Sequence, residues 1–320
     1  MDHKEQYILF CEQVNLPLQM QPWWLDAVCG PANWELCLSF DKEGEIAGIL
    51  PYYFKSSFGM KRITMPPLTD YMGPWMRFPE EDKLKRVSRY NIETSILSDL
   101  VAQLPRTALF YQTYFPSLKN SLPFMWEGYK ATPYFTYRIH RPVNQEQVFQ
   151  DFKYSVRTEI RKATQQVKVE KAGSLDDFYK INQSSFERKG VKPSFDFELL
   201  KRLDATLTKK EARHIYLAKD NDSGAVHAGL YLVMDHSTAY ILLTGIDPVL
   251  KKSGALYLLY WQAIQDAAEW NLNVDFCGSI LPGIESSLRS FGGERVPYYC
   301  ISKTSNKWLA ILSILFNKAY

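Results

Sequence analysis

The residues of this 320-residue chain whose types and spacing suit chemistry gather after position 240. In AYILLTGIDPVLKKSGALYLLYWQAIQDAAEW, an apolar strand through Ile241–Gly245 runs into a short loop with Lys251 and Lys252. Ser253, Gly254 and Ala255 then open a helix. The unpaired amides of a first helical turn, reinforced by the helix dipole, make an anion site. Gly254 would let a ligand approach the backbone, and the two lysines would add point charge toward a pyrophosphate. The competing reading is a Ser253 cap with two solvated lysines.

Further on, VDFCGSILPGIESSLRSFGGERVPYY places Asp275 at the end of a short strand. Asp275 either steers an amine or holds a backbone loop. Tyr298 and Tyr299 alternate along a strand, so one of them faces a cleft and can exchange a proton. Asp275 and Tyr298 are the leading proton acceptors for an amine attacking an activated carbonyl. Cys277 has no histidine nearby in sequence and reads as a small buried thiol. His227, in an apolar strand, and His236, in a turn, read as structural. Arg157 and Arg161, four apart and followed by Lys162, share a helix face; they either meet a phosphorylated ligand or form a solvated face balanced by Glu159. Tyr71, in the segment MPPLTDYMGPW, is a candidate cleft contact, while its neighbours Met72 and Trp75 read as packing.

Several classes are excluded. No GxxxxGKS or GxGxxG string is present, which argues against a nucleotide triphosphatase or a dinucleotide fold. Cys11, Cys29, Cys37, Cys277 and Cys300 show no CxxC spacing, so no structural zinc, disulfide framework or disulfide-linked partner is expected. No metal and no DNA partner are expected, since DNA-recognition motifs are absent. Net charge is +3; the first 150 residues carry 15 basic and 16 acidic side chains and the remainder 23 and 19. A mildly basic second half suits an anionic ligand. The start, MDHKEQYILFCEQ, lacks the pattern of a signal peptide. The apolar run Trp308–Phe316 is far short of the about 20 residues that span a bilayer, and is expected to dock on the second domain. The expected location is cytoplasmic, with peripheral association at the inner membrane face open.

Two cycles of elements must position these residues. The first has a helix over 21–29, strands at Trp34–Phe40 and Ile46–Phe54 joined by DKEGE, and an irregular Pro/Gly-rich stretch over 65–75. A helix over Glu80–Leu104 and strands over Ala108–Phe115 and Thr132–His140 complete it. The second has a helix over 145–165 whose Val148, Phe152, Val156 and Ile160 form an apolar face. Ser174 caps the next helix, and a third covers Phe195–Leu207. Strands follow at His214–Ala218, Val226–Met234 and Ala239–Ile246, then a helix over Ser253–Trp270 and strands at Asn273–Phe276 and Val296–Ser302. The length suits two domains, and HRPVNQEQ interrupts the pattern near 140–145, giving domains 1–142 and 143–320.

Residues 145–300 resemble the acetyltransferase-like domain of the Fem peptidoglycan-bridge aminoacyltransferases and the related BioF2-like, GNAT-superfamily proteins. The matching pieces are SVRTEIRKATQQVKVE, GIDPVLKKSGALYLLYWQAIQDAAEW and DFCGS…GIESSLRSFGGERVPYY. MPPLTDYMGPW is similar to a strand-and-loop region of the preceding half. The resemblance implies an α/β fold of tandem GNAT-like domains with mixed central sheets and a cleft between them. It further implies that backbone groups of Leu242, Leu243, Thr244 and Gly245 hold the pantetheine arm of acyl-CoA, with Lys251–Ala255 cradling its pyrophosphate. Tyr71, Arg157, Arg161 and Lys162 would border the acceptor cleft. The implied activity is N-acylation of a small-molecule amine or a cell-envelope precursor such as a peptidoglycan or lipid-linked amine. The alternatives are aminoacyl transfer from a charged tRNA, its contacts supplied by cleft charge, and a non-catalytic ligand-binding role.

Overall fold

The computed structural model describes residues 2–57, 60–78, 85–171 and 173–305. The expected terminal helix over Trp308–Phe316, and the beginning of the expected helix from Glu80, lie outside them.

Each half of the chain repeats one order of elements. The first half runs α1 (His3–Gln13), α2 (Pro22–Cys29), β1 (Trp34–Phe40), β2 (Ile46–Ser57), β3 (Met60–Thr64), a short β4 (Trp75–Met76), α3 (Arg86–Ala102), β5 (Leu109–Thr113), α4 (Leu122–Trp126) and β6 (Lys130–Ile139). Three connecting elements follow: α5 (Gln145–Asp151), α6 (Tyr154–Gln166) and β7 (Val167–Glu170). The second half runs α7 (Leu175–Lys189), α8 (Phe197–Lys209), β8 (Arg213–Asp220), β9 (Val226–Met234), β10 (Thr238–Ile246), α9 (Ala255–Glu269), β11 (Asn273–Asp275), α10 (Pro282–Arg289) and β12 (Glu294–Thr304). In both halves, two helices precede a three-stranded antiparallel meander, whose third strand crosses through a helix to a parallel neighbour. β3 pairs parallel with β5 across α3, and β10 pairs parallel with β11 across α9. The chain is a mixed α/β fold of tandem GNAT-like domains, with parallel and antiparallel pairs in each.

The chain divides into two compact units, residues 1–134 with the segment from Pro297, and residues 135–296. In the first, strand order is β1-β2-β3-β5-β12, with β4 beside β2. In the second it is β6-β11-β10-β9-β8-β7. The strands that close the repeats are therefore exchanged. β6, at the end of the first repeat, pairs with β11 through Val274↔Ile139 and Asp275↔Arg138. β12, at the end of the second, pairs with β5 through Cys300↔Thr113 to Thr304↔Leu109.

Local chemistry explains the helix starts. Asp2 and Glu5 form a capping box on α1, and Asn144, Ser174 and Asp196 each accept a backbone N–H at the starts of α5, α7 and α8. Pro22 and Pro282 open α2 and α10, where a missing N–H costs nothing. The single helix expected over 145–165 is broken instead. Phe152 is extended and buried against Phe149, Trp261 and Phe291, and the Lys153 amide donates to the Ser290 carbonyl. The second unit's core lies between α6, α9 and the sheet, around Val156, Ile160, Tyr216, Leu230, Leu259, Ile264 and Val274.

Candidate donor site in the second unit

β10 and β11 stay paired only from Thr238↔Asn273 to Tyr240↔Asp275, and beyond Tyr240 they have no shared register. A bulge between Ile241 and Leu243 breaks the β9–β10 ladder at the same level, leaving Leu242 as the extra residue. A parallel pair that separates at its C-terminal end leaves a crevice, the usual place for a ligand in an α/β sheet.

That crevice is a cleft of about 400 Å³. Thr244, Gly245 and Ile246 of β10 line it, with Lys251 and Gly254 of the following loop and Leu256, Tyr257 and Tyr260 of α9. Ser185 and Arg188 of α7 and Gly283, Ile284, Ser287 and Leu288 of α10 complete it. Most of this wall is apolar. Among the described residues the cations on it are Lys251 and Arg188, both exposed, while Glu159 Oε2 stands behind Gly254, 3.0 Å from where a Cβ there would lie. The Tyr260 hydroxyl is hydrogen-bonded to Thr244, and burial pushes its pKa well above the usual tyrosine range.

The loop that enters α9 is tightly organised. Asp247 Oδ1 accepts from the amides of Val249 and Leu250 at 2.7 and 3.0 Å. Lys251–Ser253 form a 3-10 turn, and Gly254 takes a left-handed φ of +74° at the helix start. Ser253 is buried and accepts from the Ala255 amide at 3.4 Å, so it stabilises the turn without being the cap residue. Lys162 Nζ donates to the Lys252 carbonyl at 2.8 Å, tying α6 to this loop.

The glycines serve the fold more than the sequence implies. A Cβ on Gly254 would stand 2.5 Å from the Glu159 carbonyl oxygen, so the close approach at this position belongs to α6. A Cβ on Gly245 would stand 2.6 Å from the Asn182 amide nitrogen, because α7 lies against β10 there. α7 also binds the β10 edge through side chains. Asn182 Nδ2 donates to the Thr244 carbonyl at 2.8 Å, while Ser185 Oγ accepts from the Ile246 amide at 2.8 Å and donates to its carbonyl at 3.2 Å. Asn182 Oδ1 is fully shielded and makes no hydrogen bond among the described residues. Sequence reasoning passed over Asn182, Ser185 and Arg188. The signal was there: Asn182 and Ser185 share the buried face of α7 with Phe178 and Ile181, where a polar side chain needs a partner.

The other expected residues separate. Asp275 is fully buried and forms an ion pair with Arg138 Nε at 2.6 Å. It also accepts from Thr136 Oγ1 and from the Cys277 amide. This is the setting of a carboxylate that holds β6, β11 and the following turn together, the loop-holding side of the sequence reading. Tyr298 lies in the first unit, 6% exposed, its ring edge-on to Tyr71 and Tyr134 at 5.1 and 5.8 Å. Tyr71 is fully buried, and its backbone amide donates to Gln19 Oε1. Both tyrosines pack in the interior of the first unit, where Tyr71 has no exposed surface. Arg157 bonds Gln150 through its carbonyl and side chain, and Arg161 lies over the Phe149 ring. Of the basic residues on α6, Lys162 is the one hydrogen-bonded to the loop before α9.

The family model for the acetyltransferase (GNAT) domain matches residues 150–282. The match spans less than half of the chain and marks that stretch as similar to a GNAT acetyltransferase domain. The matched stretch includes the loop, the separating strands and α7, so acyl transfer, broadly taken, is the chemistry of this domain. No curated protein matches the chain by sequence. Among solved structures, the crystal structure of FemX is similar at a TM-score of 0.65 and 11% identity, covering 93% of this chain and 96% of that one. L-PGS from Bacillus licheniformis is similar at 0.56 and 12%, covering 99% and 96%. The C-terminal domain of a putative lysylphosphatidylglycerol synthetase from Agrobacterium fabrum is similar at 0.54 and 12%, covering 98% and 94%. At these identities the likeness shows a common fold for the GNAT domain and the unit before it.

Proposed function

We propose that this protein is an N-acyltransferase that binds acyl-CoA in the second-unit cleft and transfers its acyl group to an amine of a small molecule or cell-envelope precursor. The observation that carries this reading is the pair of cations, Lys251 and Arg188, on the wall of a cleft at the point where β10 and β11 part beside the start of α9. Lys251, Arg188 and the first amides of α9 are the groups for the donor's phosphates. Leu256, Ile284 and Leu288 offer apolar surface for the pantetheine arm, with Thr244 and Gly245 on the β10 side. The neutral amine attacks the thioester carbonyl directly in a ternary complex, forming the amide and releasing the thiol, with no covalent enzyme intermediate. The expected location is cytoplasmic.

A second reading, aminoacyl transfer from a charged tRNA to a peptidoglycan or lipid-linked amine, is supported by the fold shared with FemX and with the lysylphosphatidylglycerol synthetase domain. Calorimetric titration of the full chain with acetyl-CoA and longer acyl-CoA species separates the two. Saturable binding that falls in Lys251→Ala and Arg188→Ala supports acyl-CoA as donor. Absence of binding by every acyl-CoA tested, together with transfer that requires charged tRNA, overturns it in favour of the second.

A further inference from the structure

We propose that α3 and α4 of the first unit form a docking surface for an anionic lipid bilayer. α4 presents Leu122, Met125 and Trp126 at positions i, i+3 and i+4, exposed by 50, 50 and 63%. Its other face is anchored: Phe124 is fully buried, packed on Tyr114 and Tyr129. The helix is thus held rigidly by one side while three large apolar side chains face water from the other.

The stripe continues onto α3. Asn120, just before α4, donates to Thr94 of α3 at 3.3 Å. Val87 and Tyr90 stand seven and four residues before Thr94, on the same helix face, and are 69 and 56% exposed. Single exposed apolar residues need no explanation, but five on two joined helices do.

The charge around this stripe selects the partner. Lys85 and Arg86 stand at the start of α3, Lys119 just before α4 and Lys130 just after it, all exposed. Lys303 Nζ donates to the Glu127 carbonyl at the end of α4, at 2.6 Å. Among the described residues the carboxylates of these elements are Glu93, part-buried and hydrogen-bonded to Asn120, Asp99, exposed nearer the end of α3, and Glu127. Trp, Met and Leu tips ringed by lysines match the layers of a bilayer interface: indole at headgroup level, apolar tips below, cations on the anionic phosphates. This surface does not depend on which acyl donor the second unit takes.

Co-sedimentation of the full chain with vesicles tests it, using phosphatidylcholine alone and phosphatidylcholine mixed with phosphatidylglycerol. The expected result is salt-sensitive binding to the mixed vesicles. Met125→Glu with Trp126→Glu should weaken it by about tenfold or more. Lys119→Glu with Lys130→Glu should weaken it by about fivefold for each lysine. These positions are exposed, so thermal melting should stay at the wild-type value. No binding of wild type to the mixed vesicles overturns the proposal, as does undiminished binding by both double variants. A wild-type dimer that becomes monomeric in the apolar double variant would also overturn it, assigning the face to a second copy of the chain.

Discussion

Gly254 stands directly against the main chain of Glu159, close enough that any β-carbon there would meet the Glu159 carbonyl oxygen at 2.5 Å. Its φ of +74° is also a conformation that L side chains adopt at a cost of roughly 1–2 kcal/mol. Gly254→Ala is therefore expected to lower stability by at least that amount, and Gly254→Val by more, with no ligand present. Thermal melting of the free protein checks this. A Gly254→Val protein that melts like wild type, while failing to bind donor, would return this glycine to the ligand.

The two loop lysines should behave differently. Lys251 lines the cleft, whereas Lys252 supplies the carbonyl that Lys162 grips. An exposed charge pair contributes roughly 0.2–1 kcal/mol, so Lys251→Ala should weaken acyl-CoA binding by about two- to fivefold, less at high salt. Lys252→Ala keeps its carbonyl and should bind nearly as wild type. Titrations at two ionic strengths distinguish the pair; equal losses would contradict the geometry.

Asp275 provides a test that separates structure from catalysis. Removing one member of a buried ion pair leaves the other uncompensated, at roughly 3–5 kcal/mol. Asp275→Ala should accordingly shift the urea midpoint strongly, through the stranded Arg138 and the lost Thr136 and Cys277 contacts. Turnover abolished at near-wild-type stability would instead mark it as a proton acceptor.

Periodicity carried much of the fold. β1 has the bounds expected for Trp34–Phe40, and β8, β9 and β10 fall on the apolar runs expected to be strands. What periodicity does not carry is the choice of neighbour. Nothing local in Thr132–His140 says that β6 pairs with β11, or in Val296–Ser302 that β12 pairs with β5, because pairing depends on distant chain. The candidate site divides the same way. The strand–loop–helix around Lys251 is contiguous and so legible. Ser185 and Arg188 reach it from a helix some sixty residues earlier, and the burial of Tyr71 and Asp275 is set by distant chain that their residue type does not show.

His214 on β8 gives a pH dependence with a definite sign. Its ring stacks on Trp270 at 4.5 Å, and burial holds its pKa below the ordinary 6.5, with Arg213 and Lys171 adding to the shift and Asp266 opposing it. The unfolded chain therefore takes up this proton first as pH falls. The stabilisation of the neutral ring is complete above about 6.5 and is lost as pH drops through the lower folded value. Melting temperature should fall as pH drops below about 6.5, and His214→Phe should flatten that slope. An unchanged slope would show that another group dominates the acid limb.

The exchanged closing strands impose an order on events during synthesis. The segment from Pro297, which sits beside β5, leaves the ribosome after every residue of the second unit. β5 must wait for that partner with its edge unpaired, a state open to pairing with other chains. Domains ordinarily fold in the order they emerge; here the first cannot be completed before the second has been made. Separate expression of 1–142 and 143–320 would give each piece the closing strand that belongs to the other. The two pieces should be recovered in soluble form when produced together and aggregate when produced alone.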